Sequence, residues 1–158
     1  MTLHGGLIAV RSRGRWLGVL IQGPSGCGKS DLALRALEHG FRLVADDRVI
    51  LFSVAGRLFG RAPKPLEELL EVRGVTISRV NALRFAEIAL LATCEGDVER
   101  LPPVKHEFIL GVALPTLSLA PLEPSAPAKL CRALEVLGTG AQQDYDAAFQ
   151  RIAPRALV

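Results

Sequence analysis

The apolar run Leu17-Gly18-Val19-Leu20-Ile21 leads into Gly23-Pro24-Ser25-Gly26-Cys27-Gly28-Lys29-Ser30, which meets G-x-x-x-x-G-K-[ST] at every fixed position. Few features constrain a fold so tightly. An extended strand must end where this octapeptide begins, and a helix must start where it finishes. Gly23, Gly26 and Gly28 let the chain curl until successive backbone NH groups converge on phosphate oxygens. Lys29 adds a positive charge, Ser30 offers a hydroxyl to Mg²⁺, and the helix starting near Ser30 points its positive dipole end at the same anion. The octapeptide is therefore a predicted nucleoside triphosphate-binding loop.

The chain has 158 residues, 49% of them hydrophobic, which is the size of one domain with a real core; residues 1–158 are expected to form it. The first residues, MTLHGGLIAV, lack a basic stretch followed by a long apolar one, and no segment reaches about 18 consecutive apolar residues. A cytoplasmic protein with no membrane partner is expected. The net charge of +3 comes from scattered basic residues, and one Trp and one Tyr offer little to stack on bases, so no nucleic-acid partner is predicted. Three cysteines without C-x-x-C spacing argue against a disulfide framework or a zinc site. Cys27 lies in the positive field of the loop, which favours its thiolate, but no resolving cysteine is nearby in sequence. A variable loop position is its simpler reading.

Arg11-Ser12-Arg13-Gly14-Arg15 reads as a hairpin turn between strands near Leu7 to Val10 and Trp16 to Gln22. Leu32, Ala33, Leu34, Ala36 and Leu37 form one apolar helix face of about ten residues, with Gly40 as its stop. Phe41 to Asp47 reads as a buried strand ending in two carboxylates, followed by a second at Val49 to Phe52. Gly56 and Gly60 read as turn and loop, Gly60 to Pro65 as a loop, and Leu66 to Glu71 as a short helical turn or ordered loop. Val75 to Val80, Glu87 to Thr93 and Phe108 to Leu114 are predicted to be extended. Ala128 to Leu137 is predicted to be helical, with Ser125 as its cap and Pro127 in its first turn.

A phosphate-binding loop alone does not define a reaction. No N-K-x-D string for guanine recognition occurs, which favours ATP over GTP. Asp46 and Asp47 follow Ser30 by one helix and one strand, so both should emerge beside the loop at a strand's carboxyl end. Adjacent strand residues face opposite sides. One carboxylate is then expected to take a proton from an attacking hydroxyl and the other to address metal, water or Lys29.

GPSGCGKSDLALRALEHGFRLVADDRV and the later LLEVRGVTISRV closely resemble the HPr kinase/phosphorylase family, whose members show G-x-S-G-x-G-K-S, R-L-V-A-D-D and L-E-[IV]-R-G in this order. The match is dense from His4 to Val80. The resemblance implies a compact α/β P-loop kinase domain similar to the phosphoenolpyruvate carboxykinase nucleotide domain, with a mixed sheet and flanking helices. It also implies the short, catalytic-domain-only form of the family. The activity implied is ATP- and Mg²⁺-dependent phosphorylation of a serine on an HPr-type phosphocarrier protein by a homo-oligomer, with a hexamer as the suggested assembly. On the matching residues, Lys29 would polarise the β- and γ-phosphates, Ser30 and Glu71 would hold Mg²⁺, and Asp47, with Asp46 as its alternate, would be the general base. His4 and Arg100 resemble a catalytic histidine and arginine of the family, and Arg73 is a phosphate or protein-substrate contact or a loop-shaping residue. Pro121 to Lys129 keeps two prolines of a stretch linked with dephosphorylation but lacks its Gly-Arg element, which counts against efficient phosphorolysis. A small-metabolite kinase and a non-catalytic ATP-sensing module are the alternative readings.

Overall fold

The computed structural model describes residues 1–138. Strands β1 (Thr2–His4), β2 (Gly6–Ser12) and β3 (Arg15–Gln22) precede helix α1 (Lys29–Leu37), and β4 (Phe41–Ala45), β5 (Arg48–Val54) and β6 (Arg57–Arg61) follow it. A 3-10 turn at Lys64–Leu66 leads to the two-stranded β7 (Leu69–Val72) and β8 (Thr76–Arg79). The described chain finishes with β9 (Ala86–Cys94), β10 (Lys105–Ile109), β11 (Val112–Leu119) and helix α2 (Ala126–Val136).

Nine strands make one mixed sheet in the order β1-β5-β6-β9-β3-β2-β4, with β11 joined to β9 and β10 to β11. The loop-bearing β3 pairs parallel with β9 and antiparallel with β2. Strands at opposite ends of this order are nonetheless neighbours in the chain: Gly5 alone separates β1 from β2, and Asp46-Asp47 alone separate β4 from β5. The sheet must curl for those short connections to close. At the seam the Gly5 NH donates to the Asp47 carbonyl at 3.0 Å.

The curl creates two apolar layers from side chains that alternate along the strands, apart from an irregularity in β9 that puts both Ala89 and Leu90 on the helix side. Val19, Ile21, Leu43, Leu90 and Ala92 face α1 and α2, meeting Leu32, Ala36, Leu130 and Leu134. Leu20, Val44 and Leu91, their neighbours in sequence, point into the concave side with Leu7, Leu51 and Leu58. Central strands buried on both faces explain the unbroken apolar run before the glycine-rich loop.

The mixed sheet with flanking helices, the Arg11 to Arg15 hairpin and both helices match expectation. Three local readings are corrected. Residues 69–72 are a strand: Glu68 at φ 64° ends the preceding 3-10 turn, and Leu70 is fully buried while Leu69↔Arg79 and Glu71↔Ile77 pair. Residues 108–114 contain a tight hairpin, because Leu110 and Gly111 both take positive φ and reverse the chain between Ile109 and Val112. Gly60 lies inside β6, where an added methyl would come within 2.9 Å of Val49 Cγ1. Ser125 occupies the cap position of α2 without a side-chain bond, since it is already in a helical conformation.

Candidate active site

The loop leaves the carboxyl end of β3 and turns into α1 through Gly28, whose φ of 105° needs a residue without a side chain. Its consequence is the placement of Lys29. This side chain is 8% exposed, and its ammonium donates to the carbonyls of Gly23 at 2.9 Å and Pro24 at 2.8 Å. Cys27 Sγ is its third neighbour, at 3.9 Å. Among the described residues no carboxylate pairs with Lys29, so a nearly buried cation faces neutral partners only. Burying an uncompensated charge is costly, and an anion at the loop removes that cost. Phosphate therefore fits this cradle.

Ser30 Oγ donates to Asp46 Oδ1 at 2.8 Å, and the Glu71 NH donates to Asp46 Oδ2 at 3.1 Å. Asp46, also 8% exposed, thus ties the first turn of α1 to β7 and uses both carboxylate oxygens in doing so. Asp47 goes elsewhere. Its φ of 67° turns the chain sharply, leaving the side chain 59% exposed with Oδ1 3.3 Å from His4 Nδ1 and Oδ2 3.6 Å from Arg48 Nε. A left-handed bend rather than strand alternation sends the two carboxylates apart, since neither residue belongs to β4 or β5.

A cavity of about 440 Å³ has His4, Ser25, Lys29, Ser30, Asp47 and Glu71 in its wall, while Asp46 lies behind Ser30 and outside the lining. Gly26, Gly28 and Arg73 also reach it. Arg100 does not: it lies exposed in the connection of residues 95–104, outside the lining. Two further wall residues, Asp31 and Leu122, have no motif to betray them. Leu122 comes from the turn before α2 and approaches Gly28 so closely that a methyl there would lie 2.8 Å from Leu122 Cδ2. Arg35 of α1 holds that turn, donating to the carbonyls of Pro121 and Glu123 and to Asp31 Oδ2.

No cluster of three His, Cys, Asp or Glu side chains among the described residues could hold a metal ion unaided. Ser30 and Glu71 both line the cavity, and a hydroxyl with a carboxylate suits Mg²⁺, which ordinarily takes one or two protein groups and completes its shell with water and substrate phosphates. No described helix is long and apolar enough to cross a membrane.

A curled mixed sheet with a phosphate-shaped loop at the carboxyl end of a central strand defines an α/β P-loop domain. The family model of the HPr Serine kinase C-terminal domain matches residues 1–90. An HPr kinase/phosphorylase of Clostridium beijerinckii is 46% identical over 136 residues, covering 77% of this chain and 43% of the relative. Its Streptococcus thermophilus counterpart is 36% identical, covering 92% of this chain and 48% of the relative. The chain belongs to the HPr kinase family. It spans about half the length of the curated relatives it matches. A solved structure of the HPr(Ser) kinase/phosphatase from Coxiella burnetii shares its fold, with TM-score 0.71 at 23% identity, over 92% of this chain and 99% of that one.

Proposed function

We propose that this chain acts as one catalytic domain that transfers the terminal phosphoryl group of ATP to a serine of an HPr-type phosphocarrier protein of a phosphotransferase system. The observation that carries the reading is the buried, acid-free Lys29 ammonium beside a cavity that also receives Asp47. Named HPr kinase/phosphorylase relatives support the choice of protein substrate.

In this reading the loop NH groups and Lys29 bind the phosphates, with the Lys29 ammonium turning from the carbonyls of Gly23 and Pro24 to the phosphate oxygens. Ser30 and Glu71 hold Mg²⁺, which supplies charge neutralisation to phosphate oxygens when bound. Asp46 keeps Ser30 and β7 in register. Asp47, exposed at the cavity, accepts the proton of the attacking serine hydroxyl, and His4 at 3.3 Å orients its carboxylate. Arg73, which also lines the cavity, meets the phosphoprotein product or its precursor. Arg100 is assigned no step. Action as a cytoplasmic homo-oligomer, with a hexamer as the expected assembly, belongs to the same reading.

The test is incubation with radiolabelled MgATP and a purified HPr-type phosphocarrier, followed by mapping of the modified residue. Label on a serine of the carrier, lost in Asp47→Asn, is the expected outcome. ATP turnover that leaves the carrier unlabelled would overturn the protein substrate and favour a small-molecule acceptor.

A further inference from the structure

Cys27 in the loop and Cys94 at the end of β9 are 67 residues apart in sequence, yet they flank one glycine. A methyl on Gly23 would lie 2.8 Å from Cys27 Sγ and 2.8 Å from Cys94 Cβ, so only the bare glycine lets both side chains close in. Both cysteines line a second cavity, of about 560 Å³, with Pro24, Glu95, Pro121 and Leu122. Leu122 is common to this cavity and to the phosphate cavity. Cys27 is half-buried and Cys94 is buried. The Lys29 ammonium donates to Cys27 Sγ at 3.9 Å. Parallel pairing of β3 with β9, running to Gln22↔Thr93, brings the two strand ends side by side and makes this juxtaposition a property of the sheet.

We propose that Cys27 and Cys94 are a hydroperoxide-reactive modification site, at which oxidation links the phosphate-binding loop to β9 by an intramolecular disulfide. Cys27 sulfur attacks one peroxide oxygen, the O–O bond breaks, and the thiol proton leaves with the expelled hydroxide as water. Cys94 sulfur then attacks the resulting sulfenic sulfur, the S–S bond forms as the S–O bond breaks, and the Cys94 proton leaves with hydroxide as a second water. Two thiols and one hydrogen peroxide give one disulfide and two waters, a two-electron oxidation. The order of attack follows from surroundings. Burial first, then the charge and hydrogen bonding of Cys27, push the Cys94 thiol up to about 12, so it keeps its proton and acts second.

The functional consequence rests on the nucleotide-loop reading above. A cross-link fastens the loop to β9 beside Gly23 and Pro24, whose carbonyls hold Lys29, so Lys29 can no longer turn freely to phosphate. Oxidation should lower nucleotide affinity, and a dithiol should restore it.

Hydrogen peroxide treatment of the full chain, followed by non-reducing peptide mass mapping, tests the site itself. The expected result is a Cys27–Cys94 linked peptide lighter by two hydrogens, with Cys131 still reduced. In Cys94→Ser the same treatment should instead leave a sulfenic acid at Cys27 that dimedone traps. Unlinked Cys27 and Cys94 peptides from treated wild type, or a link that runs to Cys131 or between two chains, would overturn the proposal. Binding of a fluorescent ATP analogue gives the second reading: at least tenfold weaker binding to oxidised wild type, reversed by dithiothreitol, is expected. Unchanged affinity in the linked protein would overturn the effect on the loop. A linked protein whose reduced form never bound the analogue would instead remove the nucleotide reading and leave the modification site standing.

Discussion

The Lys29 ammonium, with two carbonyls and a thiol around it and no acid, lacks charge compensation until an anion arrives. Charge-assisted contacts contribute about 1.5 to 3 kcal/mol, so Lys29→Ala should weaken ATP binding by roughly tenfold or more. Calorimetric titration of a folded Lys29→Ala protein with unchanged affinity would refute the phosphate contact. Asp46 and Asp47 should fail in different ways. Asp47→Asn keeps every contact of the loop, so MgATP binding should persist while phosphoryl transfer falls by about 10² to 10⁴, the usual range for a lost general base. Asp46→Asn disturbs the bonds to Ser30 and to the Glu71 NH, so binding and transfer should fall together. Glu71→Gln should raise the Mg²⁺ concentration needed for half-maximal activity; superimposable Mg²⁺ titrations of variant and wild type would remove Glu71 from metal binding.

Among the elements, β9 is the one on which the others converge: it meets β3 and β11 in parallel and β6 in antiparallel fashion. Its start, paired with β6, is pinned by Glu87, whose Oε1 accepts from Arg57 Nε at 2.9 Å while Oε2 accepts from the second guanidinium nitrogen. Hydrogen bonding to Arg57 holds the Glu87 carboxyl below its usual range, outweighing partial burial, which acts the other way. A carboxyl depressed in the folded state stabilises the protein above its unfolded pKa and loses that contribution as pH falls through its folded value. Glu87→Gln should therefore lower Tm at neutral pH, and the two melting curves should converge as the pH is taken below the lowered Glu87 value. A Tm difference that stays constant from neutral to strongly acid pH would show that Glu87 acts by packing alone.

At the scale of the whole molecule, the curl of the sheet decides both stability and the position of the site. Leu91 is fully buried on the concave side, opposite the helices, in a layer with Leu7, Leu20, Leu51 and Leu58. Leu91→Ala should cost about 2 to 5 kcal/mol in urea unfolding at an unchanged m-value. A loss below about 1 kcal/mol would mean that the concave layer is loosely packed. The same curl brings β1 beside β5 through the pairing Thr2↔Ile50 to His4↔Arg48, which is what delivers His4 to Asp47.

Much of this was legible from local sequence because the determinants were local. The strand, loop and helix from Leu17 to Leu37 are specified by apolar runs, glycines and one motif within about twenty residues, and the pair Asp46-Asp47 is placed by the length of one helix and one strand. Residues 66–72 were harder to read. Leucine and glutamate spacing there suits a helical turn equally well, and the decision fell to the positive φ of Glu68 and to the buried slot for Leu70. Residues 108–114 posed a similar difficulty, because Leu110 is an unusual residue for the reversed turn it occupies. Contacts between distant segments were beyond any local pattern. Leu122 over Gly28, Arg35 clamping the turn before α2, and Cys94 against Cys27 each join segments 67 or more residues apart in the chain. By itself the sequence determined the phosphate-binding loop, the family and the residue types at hand. The different surroundings of Asp46 and Asp47, and the closeness of Cys27 to Cys94, waited for the sheet to curl, because only strand order and backbone bends bring those atoms together.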